Sequence, residues 1–174
     1  MSVSIAERPL IVAEKSRIGD LEVDTIIGKG HHQAIVTIVD RKSKLLRMKK
    51  VIRKTGTLVR KAICNKLKGL TVHTLTSDNG SEFSEHKKIA KTLNAGFYFC
   101  HPYSSWERGL NENTNGLIRQ YFPKHMKFAT ITDEQIKLVE DKLNNRPRKS
   151  LGYKTPNEVY FNDKEHLTKV ALTT

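Results

Sequence analysis

The stretch LEVDTIIGKGHHQAIVTIVDRKSKLLRMKKVI, residues 21–52, decides the fold. It holds three β-branched runs, LEVDTII (21–27), AIVTIVD (34–40) and KLLRMKKVI (44–52), separated by the short polar segments GKGHHQ and RKS. Val, Ile and Thr suit a pleated, packed surface, and short polar separators let the chain reverse, so an antiparallel meander is predicted. Downstream, TLVRKAICNKL (57–67) places Leu58 and Ala62 at helical spacing, and Gly69 closes that helix. TVHTLTSD (71–78) reads as a strand, HKKIAKTL as a helix and GFYFC (96–100) as a short strand. Three strands followed by alternating helix and strand describe an α/β domain, a mixed five-stranded sheet flanked by helices.

Past residue 100 the pattern turns helical. SSWERGLNENTNGLIRQYF (104–122) carries Ser104 and Glu107 at capping-box spacing, though Gly109 weakens a helix that begins so early. At 100° per residue, Leu110, Thr114, Leu117 and Tyr121 share one face; Glu112, Asn115 and Arg119 share the other. A second helix, DEQIKLVEDKLNN (133–145), stops before Pro147. Residues 1–19 read as an irregular lead-in, 20–161 as the core and 162–174 as a tail with little signal.

A chain of 174 residues fits one domain, and its formal charge of +13 points to a polyanionic partner, either nucleic acid or an anionic membrane surface. No apolar stretch reaches membrane-spanning length and no signal peptide opens the chain, so no membrane association by a span is expected, and residence is expected to be cytoplasmic. Cys64 and Cys100 stand apart from each other and from spaced histidines, which excludes a zinc module or a disulfide framework and suits a reducing compartment.

In so basic a chain, acids in apolar or strand contexts ask for a reason. Asp24 sits mid-strand between Val23 and Thr25, on the face of Glu22 and Ile26; it is either an outward-facing residue of a half-exposed strand or a chemical group. Asp78, in LTSDNGSEF (75–83), is good turn chemistry before Asn-Gly, yet a carboxylate at a strand's C-terminal end also lies where open α/β sheets place their sites. Glu112 sits on a helix face that a solvated surface would equally explain. Together, a strand Asp, a strand-end Asp and a helical Glu form the acid layout of metal-dependent phosphoryl transfer. Mg²⁺ or Mn²⁺ prefers carboxylate oxygens, and two such ions about 4 Å apart can activate the attacking oxygen and stabilise the leaving one.

The segments GDLEVDTIIGKGHHQAIVTIVDRKSKL, SDNGSEF, HPYSSWERGLNENTNGLIRQYFPK and LNNRPRKSLGYKTPNEV resemble the catalytic core of bacterial insertion-sequence transposases of the IS-thirty type, within the DDE transposase and retroviral integrase superfamily. The resemblance spans roughly residues 8 to 161. It implies a ribonuclease-H-like fold, two divalent ions held by Asp24, Asp78 and Glu112, and DNA cleavage and 3′-hydroxyl strand transfer at element ends. It also implies a homo-oligomer working on DNA. By the same resemblance Arg119 is the basic residue seven after the glutamate, with Asn115 on its face to position phosphate, while Arg146, Arg148 and Lys149 are expected to grip the DNA backbone. Leu21 and Val23 depart from the family's Trp and Gly. The lead-in is too short for the family's helix-turn-helix, so an isolated or truncated core is expected. The rival readings are a non-catalytic DNA-binding derivative that regulates transposition and a plain metal-dependent nuclease of the same fold.

Lesser features read as follows. Gly28-Lys29-Gly30 lacks Walker spacing and is expected to be a hairpin turn. Trp106 reads as a core anchor, with base stacking as the alternative. KKVIRK (49–54) is either a phosphate contact or an exposed strand end.

Overall fold

The computed structural model describes residues 2–30, 32–102 and 104–162. The meander is present: β2 (Asp20–Ile27), β3 (Ala34–Asp40) and β4 (Leu46–Val51) pair antiparallel in sequence order. The chain then crosses over through α2 (Gly56–Leu67) to β5 (Thr74–Ser77), which lies parallel to β2. α3 (His86–Leu93) leads on to β6 (Gly96–Phe99), parallel to β5. α4 (Gly109–Arg119) and α5 (Asp133–Asn144) follow.

The sheet has six strands where five were expected, in the order β1-β6-β5-β2-β3-β4. The extra strand, β1 (Val3–Ser4), comes from the lead-in and pairs parallel with Tyr98 and Phe99. Two residues are too few to show a period in sequence. The lead-in also includes the four-residue α1 (Ile11–Glu14) and is tied to the sheet by side chains: Arg8 Nη1 donates to Thr76 Oγ1 at 2.9 Å, and Arg41 Nε donates to the Val12 carbonyl at 3.1 Å. The tail expected over 162–174 lies almost wholly outside the described residues.

Both faces of the sheet are covered, which is why β3 is buried along its whole length rather than alternating. Leu21, Val23, Val36, Ile38 and Leu75 pack toward α2 and α3 with Val59, Ile63 and Ile89. Leu21 and Val23, the two departures from the family pattern, are therefore core residues. Ile26, Ile35, Val39, Leu46 and Met48 pack on the opposite face against Ile118, Phe122, Ile136, Val139 and Leu143.

This alternation sends Glu22 and Asp24 to the α4 side, because they share a face with Ile26. That face is not open to solvent, as the bland reading of Asp24 required. Glu22 is buried, and its carboxylate accepts from the Asn111 backbone N–H at 3.0 Å and pairs with buried Arg41. An anion at the first turn of a helix meets unpaired N–H groups and the positive end of the helix dipole. Glu22 thus pins the start of α4 to β2. At the far end of α4, Arg119 Nη2 donates to the Ile27 carbonyl at 2.9 Å and Nη1 to the Phe122 carbonyl at 3.4 Å.

Two further expectations shift. The buried residues of α4 are Asn111, Thr114 and Ile118, so the inward face is rotated from the one plotted through Leu110 and Leu117. Ser104 makes no capping hydrogen bond, and Glu107 instead accepts from His101. Lys29 lies in the β2–β3 turn, as expected, and its N–H donates to the Met126 carbonyl at 2.9 Å. A Cβ at Gly28 would sit 2.5 Å from that same carbonyl oxygen, so only glycine allows the turn to meet the α4–α5 connection this closely.

Candidate active site

β2 and β5 are adjacent and parallel, with Asp20, Leu21 and Glu22 opposite Thr74, Leu75 and Thr76. Continuing that register past the end of β5 directs Asp24 and Asp78 to the same face, where both meet Arg108. Two aspartates 54 positions apart in the chain become neighbours because a helical crossover returns the chain parallel to its start.

Asp78 is engaged through both of its carboxylate oxygens. Its Oδ1 accepts from the Gly80 N–H at 2.9 Å, the turn the sequence suggested. Its Oδ2 lies 3.3 Å from Arg108 Nη2. A Cβ at Gly80 would sit 2.4 Å from the Glu82 carboxylate and 2.9 Å from Asp78 Oδ1, so a side chain there would displace both carboxylates from their present positions.

Asp24 is held from three sides. Thr25 N–H donates to Oδ1 at 2.8 Å, Asn115 Nδ2 donates to Oδ2 at 2.9 Å, and Arg108 Nη1 lies 3.2 Å from Oδ2. Burial pushes its carboxyl above the usual aspartate range, and the nearby Asp78 charge adds to this. Arg108, the Thr25 N–H and Asn115 oppose the rise without cancelling it.

Arg108 was not singled out in the sequence. Its guanidinium stands between the two aspartates, with a side chain only 12 % exposed. Burial works against its charge, but Asp24 and Asp78 more than compensate and raise its pKa. Its Nε is buried without a hydrogen-bond partner among the described residues. The only sequence signal was its place four residues before Glu112, in a segment rich in polar residues.

Glu112 is exposed on the first turn of α4. It lines a cavity of about 260 Å³ with Asp24, Arg108, Asn111 and Asn115. A larger cavity of about 540 Å³ is lined by Asp78, Gly80, Cys100, His101, Ser104 and Arg108. Arg108 is common to both, a wall between the Asp24–Glu112 side and the Asp78 side.

Of the predicted triad, then, Asp24 and Asp78 converge on one cation and Glu112 borders the Asp24 side. No three His, Cys, Asp or Glu side chains among the described residues form a group that could hold a metal ion. The donor chemistry nevertheless fits a hard cation. Two carboxylates from neighbouring strands already share a positive group, and a third opens into the adjoining cavity.

The remaining predicted residues divide. Asn115 faces Asp24, whereas Arg119 is engaged with main-chain carbonyls. Arg146, Arg148 and Lys149 line a cavity of about 520 Å³ with Asn113 and Leu117 of α4. Arg148 also donates to the Leu143 carbonyl at 2.9 Å. In KKVIRK, Lys49 pairs with Asp133, Lys50 donates to the Ile131 carbonyl and Lys54 pairs with Glu82, so these cations brace neighbouring elements. Trp106 is 74 % exposed and is no core anchor. No helix among the described residues is long and apolar enough to cross a membrane.

No protein-family model matches the chain. It is 56 % identical over 161 residues to the transposase for insertion sequence element IS4351 of Bacteroides fragilis, a match covering 91 % of this chain and 49 % of that protein. It is 41 % identical over 159 residues to transposase InsI for insertion sequence element IS30A of Escherichia coli (strain K12), covering 89 % of this chain and 41 % of that one. The chain thus spans about half or less of the length of these relatives. Among solved structures, the catalytic core domain of BIV integrase superposes with a TM-score of 0.65 at 23 % identity, covering 86 % of this chain and 97 % of that one. The fold is therefore the ribonuclease-H-like fold of integrase cores.

Proposed function

We propose, on the premise that this chain is an IS30-type transposase core, that it cuts DNA at transposable-element ends and joins the released 3′-hydroxyl to another strand. One observation carries the reading: Asp24 and Asp78, from adjacent parallel strands, share a single cation beside the cavity that Glu112 lines. Acids gathered in this way in a chain of charge +13 suit a local task at a phosphodiester, while the basic surface holds the rest of the polyanion.

Magnesium or manganese bound at Asp24, Asp78 and Glu112 would supply charge neutralisation for an in-line displacement at phosphorus. The chain's own residues would do the holding and orienting. Asn115 fixes the Asp24 carboxylate through its amide, and Glu22 fixes the first turn of α4, from which Glu112 projects. Arg119 ties the other end of α4 to β2, a positioning task in place of phosphate contact. Arg146, Arg148 and Lys149 would take backbone phosphates one turn along the outer face of α4. In the first reaction water breaks a phosphodiester and leaves a 3′-hydroxyl. In the second that hydroxyl displaces a 3′-oxygen in another strand, so one phosphodiester forms as one breaks. Assembly on DNA as a homo-oligomer belongs to the same reading.

The test is to incubate the chain with end-labelled DNA and Mn²⁺ and to score hydrolysed and joined products separately. Asp24→Asn and Glu112→Gln should each reduce both products by at least about a hundredfold, with salt-sensitive DNA binding retained. Hydrolysis without joining in the wild type would indicate a nuclease. DNA binding with neither product would indicate a regulatory derivative.

A further inference from the structure

The segment between β6 and α4 presents the chain's single tryptophan, Trp106, with 74 % of its surface exposed. Large aromatic side chains bring much apolar area to cores and interfaces, so one left in solvent beside a cleft is informative. Trp106 stands two residues from Ser104 and two from Arg108, both of which line the 540 Å³ cavity with Asp78. Among the described residues, none of the other strongly exposed hydrophobic side chains, Leu10, Ile52, Leu138, Tyr153 and Phe161, lies within two positions of a residue lining that cavity.

The segment is braced. Glu107 accepts from the His101 backbone N–H at 2.8 Å and meets His101 Nδ1 at 2.7 Å, closing the loop on itself. Asn79 Nδ2 donates to the Cys100 carbonyl at 2.7 Å, tying the ends of β5 and β6. Residues 105–108 form a single 3-10 turn. The indole therefore projects from a 3-10 turn whose next residue, Glu107, is held to His101.

We propose that Trp106 is a stacking platform for an unpaired nucleobase next to the phosphodiester held at Asp24 and Asp78. The occupant follows from the surroundings. The chain is strongly basic, the Arg108 guanidinium stands at the cavity wall, and an indole offers a face on which any base can stack without hydrogen-bond readout. A base in an intact duplex is already stacked on its neighbours, so the platform favours DNA that is frayed or opened at the cut.

This rests on the DNA-processing reading above, and the experiment separates the two. Because Trp106 is the only tryptophan, intrinsic fluorescence reports on it alone. The full chain, without divalent metal, is titrated with an unlabelled duplex carrying a three-nucleotide unpaired end and with a blunt duplex of equal length. Anisotropy of dye-labelled versions measures binding in parallel. Tryptophan emission should be strongly quenched by the open-ended duplex and much less by the blunt one. Trp106→Ala should weaken the open-ended complex about tenfold and the blunt complex less than about twofold, with Trp106→Phe intermediate. Binding to the open-ended duplex without quenching, or equal losses on both duplexes, overturns the platform and leaves the DNA reading standing. No binding of either duplex overturns the DNA reading itself.

Discussion

Two groups of acids sit on the α4–α5 side of the sheet, and they are treated differently. At the β4 edge, Glu140 is 1 % exposed; it accepts from the Met48 backbone N–H at 2.6 Å and meets Arg47 at 3.3 Å and Lys66 at 3.4 Å. One turn on, the Asn144 amide pairs with both the N–H and the carbonyl of Leu46 at 2.8 Å, so α5 occupies hydrogen-bonding positions that an edge strand would otherwise show to another chain. At the β2–β5 boundary, Asp24 and Asp78 share one guanidinium, Asp78 is 42 % exposed on its side chain, and the surrounding space is cavity. An acid that builds the fold has its lone pairs filled by donors fixed to the backbone. An acid proposed for chemistry, as Asp78 is, keeps lone pairs that a ligand can take, while its neighbour Asp24 is held by Thr25, Asn115 and Arg108.

If that distinction is right, mutation should separate stability from function. Glu140→Gln keeps the shape and one acceptor but leaves Arg47 and Lys66 without an anion. Because both cations are about a quarter exposed and can partly rehydrate, the cost should be about 1–3 kcal/mol. For a chain of this size that lowers Tm by several degrees. Asp24→Asn should leave Tm unchanged or raise it, since burial already disfavours the aspartate's charge in the folded state. Thermal melts of both variants without metal check this. A larger loss for Asp24→Asn than for Glu140→Gln would make the Asp24 cluster structural after all.

The next effect concerns Arg108. If its guanidinium stands where a divalent ion belongs, Arg108→Ala removes the competitor and Mn²⁺ should bind about tenfold more tightly, a gain near 1.4 kcal/mol. Calorimetric titration of the unliganded chain measures it directly. Equal affinities in wild type and variant would place the ion elsewhere.

The same contrast explains what the sequence could disclose. The meander and the two crossover helices were legible because each rests on a local period or a turn residue. The neighbour relation of Asp24 and Asp78 was not, because it depends on the β2–β5 register, which no local pattern encodes. Arg108 was missed for a related reason: its partners lie 84 and 30 positions away, and an arginine in a polar segment looks solvated. Trp106 was misjudged because burial was inferred from residue type, whereas a 3-10 turn pinned by Glu107 turns it outward. The inward face of α4 was misplaced because Asn111 is buried where its backbone N–H meets Glu22, and hydrophobicity alone discounts an asparagine.

The smallest effect concerns Cys100, which follows β6 and lines the Asp78 cavity. Burial pushes its thiol up to about 11, with Arg108 pulling down and Glu107 and Glu22 pushing up. At pH 8 only about one thiol in a thousand is then ionised, so alkylation should run roughly a hundredfold slower than for a solvent-exposed cysteine. The stability consequence has a definite sign. Between the ordinary thiol value near 9 and about 11, the unfolded chain has lost a proton that the folded chain keeps, so stability is intact below pH 9 and falls as pH rises across that window. Denaturant titrations from pH 8 to 11 should show a slope of no more than about 1.4 kcal/mol per pH unit from this group, and Cys100→Ser should flatten it. A slope that persists in Cys100→Ser would remove Cys100 as its source, and with it the idea that the cavity beside Asp78 is a low-dielectric pocket.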